Sequence, residues 1–437
     1  MAGHTELQME SIHFQVLFVS QIMTLDNSAA RSCKIDKAFG DQGKVEIVFP
    51  GGVESGVHGL AISQSRLIVV AQYRVGGRPY VGLAGLTAEG QLDVSFGDGG
   101  FIMAPFGQGV SAVPVEVVAC ADDGFIVLAE DRSQAVNHPL LARYKHDGSL
   151  DTCFGEGGIV RLKLKGPTAY DEPYGLIQQQ DGKILIAVTR FDEQAESCGL
   201  LVRVTACGAL DDCFHDGGVW QLPLRDEPHV WLEGVTELAD GRIVAWGATD
   251  GEGLVVRMDR DGMLDPTFGT GGISRVTAPR GKNRVGVEFY DVIERVNGSL
   301  ILCGSTDRLP YAAVMGHMNA DGGLDPAFNG GEVHLTPAAS GARWVHCQPG
   351  GESGSVAAGL TGIPYDAKET EFFVGRFQAD GVLDPKFGDG GLKRTNIEAG
   401  ADVARCALAP DSQRLILGGT ANTDHAVGKS YLVCYFV

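Results

Sequence analysis

Aromatic side chains and carboxylates occur together at several separate places along the chain, and this pairing is the first chemical pattern in the sequence. Examples are "YDEPY" from Tyr170 and "EFYD" from Glu288. An aromatic ring presents an apolar or π face, while a nearby carboxylate accepts hydrogen bonds from hydroxyls or balances a positive charge. The pattern therefore indicates a site for a sugar or a cationic ligand. The candidate ligand-binding residues are Tyr170, Asp171, Glu172, Tyr174, Asp226, Glu227, His229, Trp231, Glu288, Tyr290, Asp291, Trp344, His346 and Arg405.

Carboxylates in these regions also allow a catalytic interpretation. A glycan hydrolase or lyase can draw a pair of carboxylates from distant parts of a chain, and the first acids to consider are Glu172, Glu233, Glu288 and Asp291. The sequence has no phosphate-binding loop, no G-x-S-x-G elbow and no H-E-x-x-H motif, and its eleven histidines lack ligand spacing. We therefore expect no metal and no cofactor, and we assign no catalytic residue. A ligand-binding or protein-interaction role is favoured over the hydrolase or lyase alternative, and each candidate is also compatible with an ordinary loop or packing role.

A repeated motif indicates how these residues are positioned. The segment "LDPTFGTGG" from Leu264 has six other versions: "IDKAFGDQG", "LDVSFGDGG", "LDTCFGEGG", "LDDCFHDGG", "LDPAFNGG" and "LDPKFGDGG". Their aspartates are Asp36, Asp93, Asp151, Asp211, Asp265, Asp325 and Asp384, separated by steps of 57, 58, 60, 54, 60 and 59 residues. A period of this length corresponds to one unit of about four strands.

The residues between two motifs read as strands joined by tight turns. The unit from Pro173 contains "PYGLIQQQ", "KILIAVTRF", "GLLVRVT" and "VWQLPL", with Asp-Gly and similar pairs between such runs. Four antiparallel strands repeated about seven times predict an all-β fold, a seven-bladed β-propeller of four-stranded antiparallel blades. The last unit supplies three strands, so "KVEIVFP" from Lys44 is expected to complete the last blade and close the ring. The predicted organisation is a leader at 1–34 and a propeller at 35–437.

The combination "DGKILIAV", "LLVRVTACGALD" and a closing "FGxGG" resembles the delta-60 repeat family of bacterial β-propeller proteins. The resemblance covers nearly the whole chain from Ile35. It implies a propeller fold but no shared activity. Two versions of the motif depart from the pattern: "LDPAFNGG" is one residue shorter, and His215 replaces a glycine in "FHDGG".

The motif itself is predicted to be a structural joint between the third and outer strands. Its leucine and phenylalanine would pack between neighbouring blades, its aspartate would accept backbone N–H groups, and its glycines would adopt positive φ. "DRDGMLD" partly resembles a calcium loop, but the remaining ligands and the closing glutamate are missing.

The variable loops that lead into the inner strands should converge at one mouth of the central channel. We expect an acidic mouth there, with Tyr174, Trp231, Tyr290 and Trp344 as stacking surfaces and Arg405 as the opposing charge. Burial among like charges would raise the pKa of some of its carboxyl groups.

Charge and composition limit the possible partners. A net charge of −20 disfavours nucleic acids and anionic membranes, which leaves a small molecule, a glycan or a protein. The chain shows no apolar membrane span and only a poor secretory signal, and its ten cysteines show no CxxC pair. We expect a cytoplasmic monomer with mostly free thiols.

Overall fold

In the computed structural model of the protein, short apolar runs between tight turns form 29 β-strands within the residues that the structure describes. The structure describes residues 33–53, 55–107, 109–133, 137–166, 170–224, 226–351, 354–362, 370–398, 400–422 and 428–437. Most of the predicted leader, 1–34, lies outside these ranges; the first strand begins at Lys34. Within the described residues no α-helix occurs, and hence no helix suited to crossing a membrane.

Hydrogen bonding groups the described strands into six antiparallel sheets, four of which have four strands. These four sheets are β3 (Ser55–Ser63), β4 (Arg66–Val75), β5 (Arg78–Leu86) and β6 (Phe101–Met103); β7 (Ala112–Ala119), β8 (Phe125–Asp131), β9 (His138–Tyr144) and β10 (Ile159–Arg161); β11 (Tyr170–Gln178), β12 (Ile184–Phe191), β13 (Ser197–Val204) and β14 (Val219–Gln221); and β23 (Ala342–Gly350), β24 (Gly354–Thr361), β25 (Glu371–Phe377) and β26 (Leu392–Thr395).

The other two sheets are larger. The five-stranded sheet contains β1 (Lys34–Ile35), β2 (Lys44–Ile47), β27 (Asp402–Leu408), β28 (Arg414–Asn422) and β29 (Gly428–Phe436). The eight-stranded sheet contains β15 (Val230–Glu237), β16 (Ile243–Thr249), β17 (Glu252–Met258), β18 (Ile273–Arg280), β19 (Asn283–Glu294), β20 (Leu300–Thr306), β21 (Ala312–Met318) and β22 (His334–Pro337).

The expectation of seven separate four-stranded blades is therefore wrong, although the fold is an all-β propeller. Five sheets have the size of a blade and the sixth is a continuous sheet of eight strands. The reason is local: β18 and β19 form a hairpin with pairs from Thr277↔Gly286 to Arg280↔Asn283. The segment "APRGKNRVGVEFYD" at 278–291 belongs to the variable loops that the sequence was expected to place before the inner strands. It is mostly strand instead, with Gly281 at positive φ in its turn.

The first strand of each repeat lies next to the first strand of the following repeat. The strands β3, β7, β11, β15, β19, β23 and β27 contact one another in this order, and β27 contacts β3. This series surrounds a central channel. The N-terminal β2 pairs with the C-terminal β29, from Lys44↔Val433 to Ile47↔Ser430.

The sequence of each strand reflects how deeply that strand is buried. The second strands β8 and β16 are buried over their whole length, and each begins with a continuous apolar run. A short outer strand such as β14 alternates, with its central Trp220 buried. Because each apolar cluster combines side chains from adjacent sheets, the core is spread around the ring rather than held in one centre.

The repeated motif forms the joint between neighbouring repeats. Every motif aspartate accepts the backbone N–H two residues later, as Asp265 does from Thr267 at 2.9 Å. The motif phenylalanines are at most 1% exposed. The guanidinium of Arg257 lies over the Phe268 ring, 4.5 Å from the ring centre, and the same arginine binds Asp265. The backbone N–H of Gly269 donates to Asp321 of the next repeat.

Candidate functional site

Seven described strands that surround the channel share one irregularity, a β-bulge near the middle of the strand. In β11 the register shifts between Pro173 and Gly175, so that Tyr174 has no pairing partner on β12. The same shift occurs in β3, β7, β15, β19, β23 and β27. The bulged residues are His58, Val115, Tyr174, Glu233, Tyr290, Val345 and Arg405.

All seven bulged residues line one cavity of about 370 Å³. A β-bulge inserts one extra residue into a strand. The side chain of that residue does not have to follow the alternation between the two faces of the sheet, so it can point in a different direction. The residues that line the cavity continue from the bulges towards the C-terminal ends of the inner strands, as far as Thr236 in β15 and Glu294 in β19. The cavity thus lies beside the middle and later parts of these strands, in the direction of the hairpin turns. The predicted mouth, formed by the loops that lead into the inner strands, is at the other end of the strands.

The residue after each bulge decides how closely neighbouring strands approach. Gly175 allows contact of the backbones, because a Cβ atom there would lie 2.8 Å from Gly234 Cα. Glu116 and Asp291 occupy the equivalent position with carboxylates. Glu116 accepts the Leu176 N–H at 2.7 Å, and Asp291 Oδ2 lies 3.0 Å from the Cys347 N atom. These acids therefore connect each strand to the next one in the ring.

Two tyrosine–glutamate pairs occupy matching places in β11 and β19. The Tyr174 hydroxyl donates to Glu172 Oε2 at 2.7 Å, and the Tyr290 hydroxyl is the same distance from Glu288 Oε2. Burial and the nearby carboxylates raise the pKa of both phenols. The tyrosines are therefore neutral donors whose rings border the cavity.

Glu233 occupies the bulge of β15, the strand between these two pairs. Burial, followed by the charges of Glu288 and Glu172, raises the pKa of Glu233 to about 8. Burial is also the main cause that raises the pKa of Glu116 to about 8. Each carboxyl keeps some area accessible to water in the cavity, but the surrounding protein removes most of its bulk solvation. At neutral pH both groups thus carry a proton, and the cavity is less acidic than its residue types suggest.

Basic groups lie among these acids. Burial, together with the charge of Arg405, lowers the pKa of His58 to about 3, so this imidazole is neutral. His346 Nδ1 lies 2.8 Å from Asp291 Oδ2. The guanidinium of Arg343 lies 5.8 Å from the ring centre of Tyr290, within cation–π range.

The ring of Trp246 lines the cavity, and its N–H is buried. Its Nε1 atom has no hydrogen-bond partner in the described structure, although its ring lines the cavity. Gly234 makes room for this ring, since a Cβ atom at that position would lie 2.2 Å from it.

The structure brings together half of the candidates predicted from sequence. Tyr174, Tyr290, Asp291, His346 and Arg405 line the cavity. Glu172 and Glu288 contact two of them through the tyrosine hydroxyls.

The other candidates have partners elsewhere. Asp171 is fully buried and binds Arg190, with Oδ1 2.7 Å from Nε. Tyr170 stacks on Phe191, Glu227 binds Arg275, and His229 stacks on Trp231.

Trp344 and Asp226 are also outside the cavity lining. Trp344 is fully buried and stacks on Phe373 at 4.5 Å, so it is no stacking surface for a ligand. Asp226 is exposed in a loop. The predicted loop cluster therefore separates into a cavity group and a group of ordinary structural contacts.

Many cavity residues were absent from the candidate set, including a histidine, a glutamate and a tryptophan. His58, Glu116 and Trp246 lie in "GVHGL", "PVEVV" and "VAWGA", runs typical of buried strands. Glu233 was considered only as a possible catalytic acid. Aligning the seven inner strands on their apolar positions would place His58 in one variable column with Tyr174 and Glu233.

The closed ring and its channel define the protein as an all-β propeller, and comparisons with known proteins agree with this class. A family model described as "Domain of unknown function (DUF5122) beta-propeller" matches residues 238–268. This match supports a bacterial β-propeller repeat family. No curated protein matches the chain.

Solved structures similar to the chain are distant. A protein of unknown function from Dyadobacter fermentans is 12% identical, with 93% of this chain and 99% of that one covered and a TM-score of 0.49. Drosophila Plexin A in complex with Semaphorin 1b is 9% identical, with coverages of 93% and 88% and a TM-score of 0.49. The Hadza microbial sialidase Hz136 is 12% identical, with coverages of 89% and 66% and a TM-score of 0.47. Likeness at these levels carries no inference about activity.

Proposed function

We propose that the protein binds a small, hydroxyl-rich ligand of the sugar class in the channel cavity, with preference for a ligand that carries a positive charge. The observation that supports this most is the set of seven bulged residues, because the bulges direct chemically different side chains into one cavity. Tyr174, Tyr290 and Trp246 offer ring surfaces, and Glu233 offers a carboxyl without a hydrogen bond to any described residue.

Cavity size restricts the ligand. About 370 Å³ is within the range of small-molecule sites and suits one or two sugar rings rather than a polymer. A cation would displace the protons of Glu233 and Glu116, whose pKa values are about 8. Its affinity should therefore rise with pH between 6 and 8, by up to about tenfold per pH unit for each carboxyl that must ionise.

Calorimetric titration with neutral sugars, amino sugars and simple organic cations tests this proposal. Glu233→Gln should weaken binding of a cationic ligand and reduce its pH dependence. Glu227→Gln is the matched control, because Glu227 binds Arg275 and does not line the cavity. Binding that is lost in Glu227→Gln and retained in Glu233→Gln would place the site in the loops instead.

A glycan hydrolase or lyase is the second candidate, and one observation favours it. Glu233 holds a proton at neutral pH and lies near the carboxylates of Glu172 and Glu288. A protonated acid beside a carboxylate is the pair that glycosidic cleavage uses. Aryl glycosides and unsaturated-product assays test this: turnover by the wild type that Glu233→Gln abolishes would support it. Binding without turnover would leave the first proposal standing alone.

A further inference from the structure

One group of sulfur and oxygen ligands lies at the wall of the cavity, between β19, β20 and β23. A carboxylate oxygen of Asp291 and the Sγ atoms of Cys303 and Cys347 all lie within 4.8 Å of one another. Both cysteines are fully buried. Within the described ranges no other group of three histidine, cysteine, aspartate or glutamate side chains meets the same distance criterion.

Sheet geometry brings these residues together. Asp291 pairs directly with Cys303 in the β19–β20 ladder, immediately after the bulge of β19. Cys347 follows the bulge of β23 by two residues, and its N–H donates to Asp291 Oδ2 at 3.0 Å. The spacings of 12 and 44 residues match no metal motif, so the sequence predicted no metal site.

The equivalent positions in other repeats show that this combination is unusual. Glu116 makes the same link to the next strand as Asp291 does, but Leu128 and Leu176 occupy the positions of the two cysteines. Gly175 pairs with Ala187, and His346 with Ala358. The contact between neighbouring inner strands therefore requires no more than a carboxylate. The two thiols beside Asp291 are not needed for it.

We propose that Asp291, Cys303 and Cys347 bind a divalent cation of the zinc class. Thiolates select such ions, and two thiolates with one carboxylate supply three of the four positions of a tetrahedral site. On binding, each cysteine loses its S–H proton to solvent and forms an S–metal bond, while Asp291 contributes a carboxylate oxygen. Asp291 also borders the cavity, so a cavity water can occupy the fourth position.

The surroundings of Asp291 resemble the outer shell of a metal site. Its Oδ2 atom lies 2.8 Å from His346 Nδ1 and accepts the Cys347 N–H. Hydrogen bonds of this kind orient a ligating carboxylate. Replacing His346 by alanine should then weaken zinc affinity by about 10- to 100-fold while leaving the thiolate ligands in place.

The test uses the reduced full-length protein and Zn²⁺ or Co²⁺ alone, so it is independent of the ligand proposed above. We expect one zinc per chain by elemental analysis, and with Co²⁺ a thiolate-to-metal charge-transfer band in the near ultraviolet. Cys303→Ser and Cys347→Ser should each weaken zinc binding by more than about 100-fold. Cys434→Ala, which removes another fully buried thiol, should have no effect.

Two results would overturn the inference. One is wild-type protein, with its thiols shown to be free, that gives neither stoichiometric zinc nor the charge-transfer band. The other is a band that persists in both serine variants. Because the wild-type spectrum is decisive by itself, a variant that fails to fold does not affect the conclusion. Asp291→Asn should retain the band with about tenfold or greater loss of affinity, which separates the carboxylate from the thiols.

Discussion

At the scale of single residues, the channel wall contains carboxyl groups that the fold keeps protonated. Glu233 has an ordinary pKa of 4.5 when unfolded and one of about 8 in the folded protein. Between these values the folded chain holds a proton that the unfolded chain has lost. The free energy of unfolding therefore falls as pH rises through this window. Glu116 contributes in the same direction.

Glu233→Gln should flatten this dependence, because a neutral amide replaces a carboxyl that resists ionisation. We expect the slope of the free energy of unfolding against pH to lose up to about 1.4 kcal/mol per pH unit between pH 5 and pH 7. Urea unfolding at several pH values measures it. Glu227→Gln should keep the wild-type slope. Equal slopes in wild type and Glu233→Gln would show that Glu233 ionises normally.

The motif phenylalanine is the second feature to test at this scale. Phe268 is fully buried under the Arg257 guanidinium, at the joint with the next repeat. Phe268→Ala should lower the free energy of unfolding by about 3–5 kcal/mol, through lost burial and the cavity left behind. Phe436→Ala is the matched comparison because Phe436 is 41% exposed, and it should cost much less. Similar losses in both variants would contradict a joint role for the motif.

At the scale of strands, the bulge and the glycine after it set the approach of neighbouring strands. Gly175→Ala places a Cβ atom 2.8 Å from Gly234 Cα, a backbone atom that cannot rotate away. We expect a loss of about 1–3 kcal/mol in the free energy of unfolding. Gly351→Ala serves as the control, since a Cβ atom there has no neighbour within 4 Å. A neutral Gly175→Ala would show that these strands can separate without cost.

The strands also show what sequence could and could not predict. Apolar runs and Asp-Gly turns predicted the strand repeat and the joint role of the motif, because both depend on local spacing. The β18–β19 hairpin was missed, since whether a loop pairs with itself depends on how far the sheets on either side extend. Tyr174 and Tyr290 were found because aromatic residues beside acids are conspicuous. Glu116 was missed because only the pairing register reveals a bulge, and a single acid in an apolar strand gives no signal of its own.

At the scale of the whole molecule, stability is spread over the contacts between adjacent sheets, and one sheet combines the first described strands with the last ones. β2 pairs with β29, and the Tyr431 hydroxyl donates to Glu46 Oε2 at 2.9 Å. Phe49, just after β2, is 2% exposed and stacks on Tyr73 of the next sheet. The segment 44–49 therefore connects the C-terminal sheet to the sheet that begins with β3.

Removing residues 1–49 should leave the edge of β29 unpaired and the contact with Tyr73 empty. An unpaired strand edge binds other edges, so we expect a marked fall in melting temperature and concentration-dependent association, measured by calorimetry and light scattering. A chain that starts at residue 33 keeps β1, β2 and Phe49 and is the matched control. We expect this control to melt well above the longer deletion and to stay monomeric. If the two truncated proteins have the same melting temperature and remain monomeric, the pairing of β2 with β29 contributes little, and the remaining sheets hold the ring by themselves.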